Sequence, residues 1–345
     1  MSTELTRVSC NVVFTEVGKQ TGYLGVTHSD NRHAYGLIPV PIVCIANGYG
    51  PTVLVTAGNH GDEHEGIIIA RHLINTIEPL AVRGRIIVIP ALNYPAVLED
   101  SRVSPLDNGN MNRAYPGSAS GTPTFAIAHY VETVLLPMCD AALDLHSGGK
   151  VSEFLPCTFL VKSGTPEFLA AKVAAIDAFG APTTTVVSAT ADGRSLSAAA
   201  DRQGVLNIAT ELAGGGTVSL DALRIGTQGT LRWLAHVGVL NDVDVPAPEP
   251  SRYIQTRDRS DFAVAPMDGL FEPRVRLGDV VETGQLAGLI HPIDDPARAS
   301  MEVYFNASGT VICRRVPART RRGDYVFHIG ECVDKETLLA TSTRS

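Results

Sequence analysis

The chain has 345 residues, 44 % of them apolar and 19 % charged, which allows one large domain with a smaller appendage and a sizeable core. Its formal charge of −8 and dispersed Lys and Arg argue against a nucleic-acid surface, even with the local run Arg314, Arg315, Arg319, Arg321 and Arg322. The start, MSTELTRVSC, lacks the basic stretch and apolar run of a secretory signal, and no apolar segment approaches the roughly 20 residues that cross a bilayer, so no membrane role and a cytoplasmic location are expected.

Residues 1–36 form an N-terminal extension in this reading. From Leu37 to Leu240, strand-like and helix-like stretches alternate. Val53 to Ala57 and Arg85 to Leu92 are short apolar runs bounded by Gly or Pro and predict buried strands, while Glu63 to Ile77 and Phe125 to Met138 carry apolar residues at helical spacing. Ala141 to Leu145 and Cys157 to Val161 predict further strands, and Phe168 to Phe179 an Ala-rich helix. Thr184 to Val187 and Val205 to Thr210 are again strand-like, and Leu220 to Val237 reads as a long closing helix. This order predicts an α/β fold with a largely parallel or mixed sheet and helices on both faces, spanning residues 37–240.

The Pro-rich, acidic stretch from Asn241 onward predicts a linker over residues 241–253, because proline removes an amide donor and disfavours helix. Beyond it, short β-prone runs punctuated by Asp268-Gly269, Gly278-Asp279, Thr283-Gly284 and Ser308-Gly309 predict a small all-β domain over 254–332, followed by a frayed tail over 333–345. The small domain resembles the sandwiched hairpins of biotinyl and lipoyl carriers. Carriers need a lysine at a hairpin tip, and none occurs between Lys172 and Lys335, so a structural or shielding appendage is expected. Cys10, Cys44, Cys139, Cys157, Cys313 and Cys332 lie far apart with no C-x-x-C pair, and predict reduced core thiols.

Chemistry concentrates in two places. VLVTAGNHGDEHEG runs from an apolar strand through a Gly-rich turn into a helix, so His60 and Glu63 can aim at one point beyond the strand's carboxyl end. A second strand, AALDLHSGG, delivers His146 at its own end. Two imidazoles and a carboxylate with one open position make a catalytic zinc set. The same residues also fit H-x-x-E-H, with His60 and His64 as ligands on one helix and Glu63 as the base. That competitor needs Gly61 and Asp62 inside the helix, where glycine is costly and aspartate prefers the cap, and it leaves His146 unused.

GNHGDE, RVSPLDNGNMNRAYPG, DLHSGG and ATELAGG together resemble the succinylglutamate desuccinylase and aspartoacylase family, relatives of the zinc carboxypeptidases. The resemblance covers roughly residues 40–330. It implies a carboxypeptidase-like α/β domain with one zinc per chain that hydrolyses an N-acyl amino acid, and it implies a homo-oligomer. Residue by residue, it implies His60, Glu63 and His146 as zinc ligands, Glu211 as general base, and Asn112 with Arg113 as the binders of the substrate carboxylate. Arg102 matches the arginine that polarises the scissile carbonyl. Within the family, length and motif strings are most similar to the branch that deacetylates N2-acetyl-2,4-diaminobutyrate in ectoine breakdown. A cationic side chain of that kind calls for a facing carboxylate, and Asp107, Asp192 and Glu153 are all candidates. An acylase for another amino acid, a zinc carboxypeptidase and a non-enzymatic metal-binding or small-molecule-binding protein remain open.

Overall fold

A computed structural model describes residues 6–31, 33–188, 192–241 and 243–341. The chain opens with β1 (Val8–Cys10), β2 (Gly18–Asp30) and β3 (His33–Asn47), of which β2 and β3 form a long antiparallel hairpin. The expected boundary after residue 36 therefore falls inside β3, and the N-terminal extension is part of the main sheet. Next come β4 (Thr52–Ala57), α1 (His64–Thr76), β5 (Gly84–Ile89), the short α2 (Tyr94–Leu98), α3 (Pro123–Tyr130) and β6 (Ala141–His146). Helix α3 runs on through a wide turn at Val131–Leu135 and a tight one at Leu136–Met138. This α/β part finishes with β7 (Ser152–Phe154), β8 (Cys157–Lys162), α4 (Pro166–Phe179), β9 (Thr183–Ser188), α5 (Leu196–Arg202), β10 (Leu206–Glu211) and α6 (Leu220–His236).

The remaining strands are β11 (Arg252–Gln255), β12 (Phe262–Val264), β13 (Gly269–Pro273), β14 (Val280–Val281), β15 (Leu286–His291), β16 (Met301–Tyr304), β17 (Gly309–Arg315), β18 (Arg319–Thr320) and β19 (Tyr325–Cys332). A helix, α7 (Lys335–Thr341), stands where the sequence predicts a frayed tail. Its Leu338 is buried among the helices' apolar residues, which is what holds this segment down.

The main sheet runs β1-β2-β3-β5-β4-β6-β10-β8-β9-β11-β19-β17-β14, and a separate antiparallel sheet runs β16-β15-β13-β18. Within the main sheet, β5-β4-β6-β10 and β8-β9-β11 are parallel runs, and β8 meets β10 antiparallel. It is the mixed α/β sheet that the alternation predicts.

Alternation along each central strand divides the core in two. Val53, Val55, Ile86, Val88, Leu143 and Leu145 face α1, α4 and α6, where Ile69, Leu73, Val173, Ile176, Phe179 and Trp233 are buried. Leu54, Ile87, Ile89 and Ala142 face the other way, toward α3, α5 and the N-terminal hairpin. All six residues of β4 and of β6 are buried, as expected for strands covered on both faces. Asp144 and His146 share the face of Ala142, which places polar groups at the point where the core gives way to a cleft.

Candidate active site

Strand β4 ends at Ala57, and the chain turns through Gly58, whose φ of +66° is a left-handed conformation that glycine adopts without strain. Gly61 permits a still closer approach: a Cβ there would lie 2.0 Å from the Ala96 carbonyl oxygen. The loop bends and turns through Asn59–Asp62, and Glu63, with φ −106° and ψ 91°, is extended and precedes the first helical residue, His64. His60 and Glu63 therefore do not share a helix with His64. The His64 ring points away to Asp100, with Nε2 2.9 Å from Oδ1. This geometry removes the helical H-x-x-E-H arrangement.

Strand β6 brings the third residue. Parallel pairing of β4 with β6 sets Ala57 beside Leu145, so His146 emerges level with the Gly58 turn. His60 Nδ1 lies 2.6 Å from Glu63 Oε1, and His146 Nδ1 lies 2.7 Å from Glu63 Oε2. One donor atom from each of the three fits within 4.8 Å of the others, and all three residues are buried.

The outer nitrogens decide what this cluster needs. His146 Nε2 faces Asp144 Oδ2 at 2.8 Å, and His60 Nε2 faces Asn110 Oδ1 at 3.1 Å. The nearest partner of each Nε2 is an acceptor, and the Asn59 Nδ2 that lies 3.3 Å from His146 Nε2 donates to Asp144 at 2.7 Å, so the arrangement favours a proton on each Nε2 and a lone pair on each Nδ1 toward the Glu63 carboxylate. Lone pairs converging on a carboxylate in a dry centre require a cation between them. Without a metal, protons take that place. Burial disfavours the His146 imidazolium, yet Asp144 and Glu63 on either side raise its pKa well above the ordinary histidine value. Burial likewise opposes ionisation of Glu63, but His146 and His60 overcome it and hold its pKa down to about 2. The donor set and its buried acceptors fit a divalent metal with nitrogen and oxygen ligands.

Asp144 is itself held, by Thr56 Oγ1 at 2.7 Å and Asn59 Nδ2 at 2.7 Å. Sequence reading passed over Asp144, Asn59, Thr56 and Asn110. The signal available was Asp144 in DLH, two residues before His146 and so on the same face of β6.

Parallel pairing of β10 with β6 sets Glu211 directly beside His146. Its Oε2 is enclosed and meets no hydrogen-bond partner. Burial, and then the charge of Glu63, raise the Glu211 pKa well above the carboxylate range, while His146 and Arg102 pull the other way. Arg102 stands half-exposed at the rim, with Nη1 3.6 Å from Glu63 Oε1.

A cleft of about 300 Å³ opens from His146 and Glu211. Asn112 and Arg113 sit on one wall, in a tight turn over Met111–Arg113. Asn112 Oδ1 accepts from the Leu196 amide at 3.1 Å, which orients the side chain with its Nδ2 as the remaining donor. Phe159, Val161, Val187 and Ala209 supply an apolar floor, and Asp192 and Arg194 close the far side. Arg194 is a cleft cation that the motifs did not reveal. The seven expected site residues thus gather around one centre. Of the six cysteines, none pairs, and Cys332 is exposed instead of lying in the core as expected.

The profile of the succinylglutamate desuccinylase/aspartoacylase catalytic domain matches residues 49–237. An N-alpha-acetyl-L-2,4-diaminobutyric acid deacetylase of Halomonas elongata is 35 % identical over 328 residues, covering 95 % of this chain and 96 % of that protein. The product-bound structure of the ectoine utilization protein EutE (DoeB) of Ruegeria pomeroyi has a TM-score of 0.90 at 35 % identity, over 95 % of this chain and all of that one. A succinylglutamate desuccinylase/aspartoacylase structure from Rhodobacter sphaeroides has a TM-score of 0.89 at 36 % identity, over 96 % of this chain and 100 % of its own.

Proposed function

This chain belongs to the succinylglutamate desuccinylase/aspartoacylase family, and from that premise we propose that it is a zinc-dependent deacetylase that hydrolyses N2-acetyl-L-2,4-diaminobutyrate to acetate and L-2,4-diaminobutyrate. The observation that carries the reaction type is the β6–β10 register, which puts the unpartnered Glu211 carboxyl beside a buried His–Glu–His donor set. The substrate rests on the name of the Halomonas relative, which aligns with nearly the whole chain.

His60, Glu63 and His146 would hold the ion. Zinc bound there supplies Lewis acidity, bringing the pKa of a water toward about 7 and polarising the acyl carbonyl. Glu211 takes the proton of the attacking water and returns it to the leaving amine; burial raises its affinity for that proton, and the charge of an ion held beside it would favour the ionised form from which it starts. Arg102, at the rim beside Glu63, shares the negative charge that develops on the acyl oxygen. Arg113 presents a planar fork to the substrate's α-carboxylate, with the Asn112 amide beside it. Asp144 and Asn110 keep the two imidazoles in the tautomer that leaves Nδ1 free.

The test compares kcat/KM of the zinc-loaded protein on N2-acetyl-2,4-diaminobutyrate, N-acetylornithine, N-acetylaspartate and N-succinylglutamate. The first should lead. Preference for either acidic substrate replaces the substrate and leaves the reaction type standing, whereas no cleavage of any of the four removes the enzymatic reading.

A further inference from the structure

The cleft raises the question of what reads the side chain of the amino acid. Three carboxylates qualify from sequence, and the structure occupies two of them elsewhere. Asp107 accepts from the Thr124 amide and hydroxyl, both at 2.8 Å, and from the Gly109 amide at 3.0 Å, so it is consumed in starting α3. Glu153 receives Arg314 Nε at 2.7 Å, tying β7 to β17. Neither lines the cleft. Asp192 does.

We propose that Asp192 is the specificity residue of this site, receiving a short cationic side chain while Arg113 holds the α-carboxylate of the same molecule. The inference rests on the deacetylase reading above and adds the group that selects the substrate. Asp192 Oδ2 lies 3.4 Å from Arg113 Nε. In 2,4-diaminobutyrate the ammonium nitrogen is four bonds from the carboxylate carbon, a reach of roughly 5 Å at about 1.5 Å per bond. A ligand whose carboxylate sits on Arg113 therefore brings its ammonium to Asp192 without entering the apolar floor.

The position is built. The Arg194 carbonyl accepts from the Tyr115 amide at 3.3 Å, and the Leu196 amide donates to Asn112 Oδ1, so the Asp192 loop is stitched to the turn that carries Arg113. From the other side Arg202, paired at 2.8 Å through both Nε and Nη2 with Glu132, donates to the Gly193 carbonyl at 2.5 Å. Arg194 contacts Asp192 through both Nε and Nη2. Together with Arg113, it keeps the carboxylate ionised, with a pKa below its ordinary value.

Charge bookkeeping gives the selectivity. Two guanidinia and one carboxylate leave a net positive rim that accepts one substrate carboxylate, and the ionised Asp192 then faces whatever the side chain presents. It attracts an ammonium and repels a second carboxylate. It also masks Arg194, the cation that an acidic side chain would otherwise use.

The experiment measures kcat/KM of wild type and Asp192→Asn on three N-acetyl amino acids: 2,4-diaminobutyrate, its neutral isostere norvaline, and glutamate. Charge-assisted hydrogen bonds contribute about 1.5–3 kcal/mol, so the variant should lose roughly 10–100-fold on the cationic substrate. It should change little on norvaline and gain on glutamate as Arg194 is released. Equal loss on all three would mean that Asp192 only positions Arg113, and it overturns the proposal. A wild type that cleaves none of the three is a failure of the deacetylase reading instead. Calorimetry with free L-2,4-diaminobutyrate and norvaline then decides Asp192 on its own: binding of the cationic amino acid that is not weakened by Asp192→Asn sinks it.

Discussion

Glu63 and Glu211 occupy one buried centre, yet their surroundings push them in opposite directions. Glu63 sits between two imidazoles and is held ionised, as the proposed ligand role requires. Glu211 has no such partner, and burial and then the charge of Glu63 raise its affinity for a proton. Two substitutions separate these roles. Glu63→Gln should lose zinc, read by metal analysis after dialysis, because a neutral amide replaces the anionic donor. If that variant keeps zinc at wild-type affinity and loses only turnover, Glu63 is the base after all. Glu211→Gln should keep its zinc and its fold and lose about 10²–10⁴-fold in kcat, the usual worth of a positioned base. An active Glu211→Gln protein would send the proton elsewhere.

Among the elements, β19 carries a pH-dependent group outside the His–Glu–His cluster. His328 stacks on Phe262 of β12, with ring centroids 4.1 Å apart and planes 12° from parallel, and its Nε2 is buried without a partner. Burial lowers its pKa from 6.5 to about 4 against the opposing pull of Asp261. The folded protein therefore binds this proton more weakly than the unfolded chain does. The stability involved is present above pH 6.5 and is lost as pH falls toward about 4, up to an amount on the order of 3 kcal/mol. His328→Phe should unfold with a shallower loss between pH 6.5 and 4.5 when both proteins are stripped of metal and compared by urea titration. Parallel pH profiles would show that the ring is solvated or charged in the fold. Other elements differ in how far the sequence exposed them. Strands β4, β6 and β10 and helices α1, α4 and α6 were legible because each carries its full burial signal within a dozen or so residues. The β2–β3 hairpin was not, since half of β2 alternates with solvent and Gly22 and Gly25 interrupt it, and β3 joins the sheet by pairing with β5, far along the chain. Helix α5 is only seven residues, too short for a period to emerge. The His60, Glu63 and His146 cluster was legible because each residue lies at or just beyond a strand end, whereas Asp144 and Asn110 gain meaning only once register and loop packing set them against the imidazoles.

At the scale of the whole molecule, the C-terminal strands look separable in sequence but are joined to the catalytic sheet. They have an apolar core of their own around Phe271, Phe305 and Phe327. Yet β11 pairs in parallel with β9 from Arg252 against Thr183 to Gln255 against Val186, and β19 then continues the sheet from β11. A second seam joins β17 to β7, reinforced by Arg314 and Glu153, directly beyond the Gly-rich segment that follows His146. The expectation of an appendage is therefore better framed as an edge cover. Removing residues 251–345 would bare the outer edge of β9 and the edge of β7 that faces β17, strip Leu338 from the helical core, and leave unpaired amides along a β-branched strand. Such an edge recruits other chains. A chain ending at Pro250 should be insoluble or lack a cooperative thermal transition, and the loss should extend to zinc binding, because β7 lies a few residues from His146. Solubility, calorimetry and metal content of that truncation check this. If it is soluble, melts cooperatively and hydrolyses N-acetyl-diaminobutyrate at the full-length kcat/KM, the C-terminal strands are a dispensable attachment and the paired edges contribute nothing that the catalytic sheet needs.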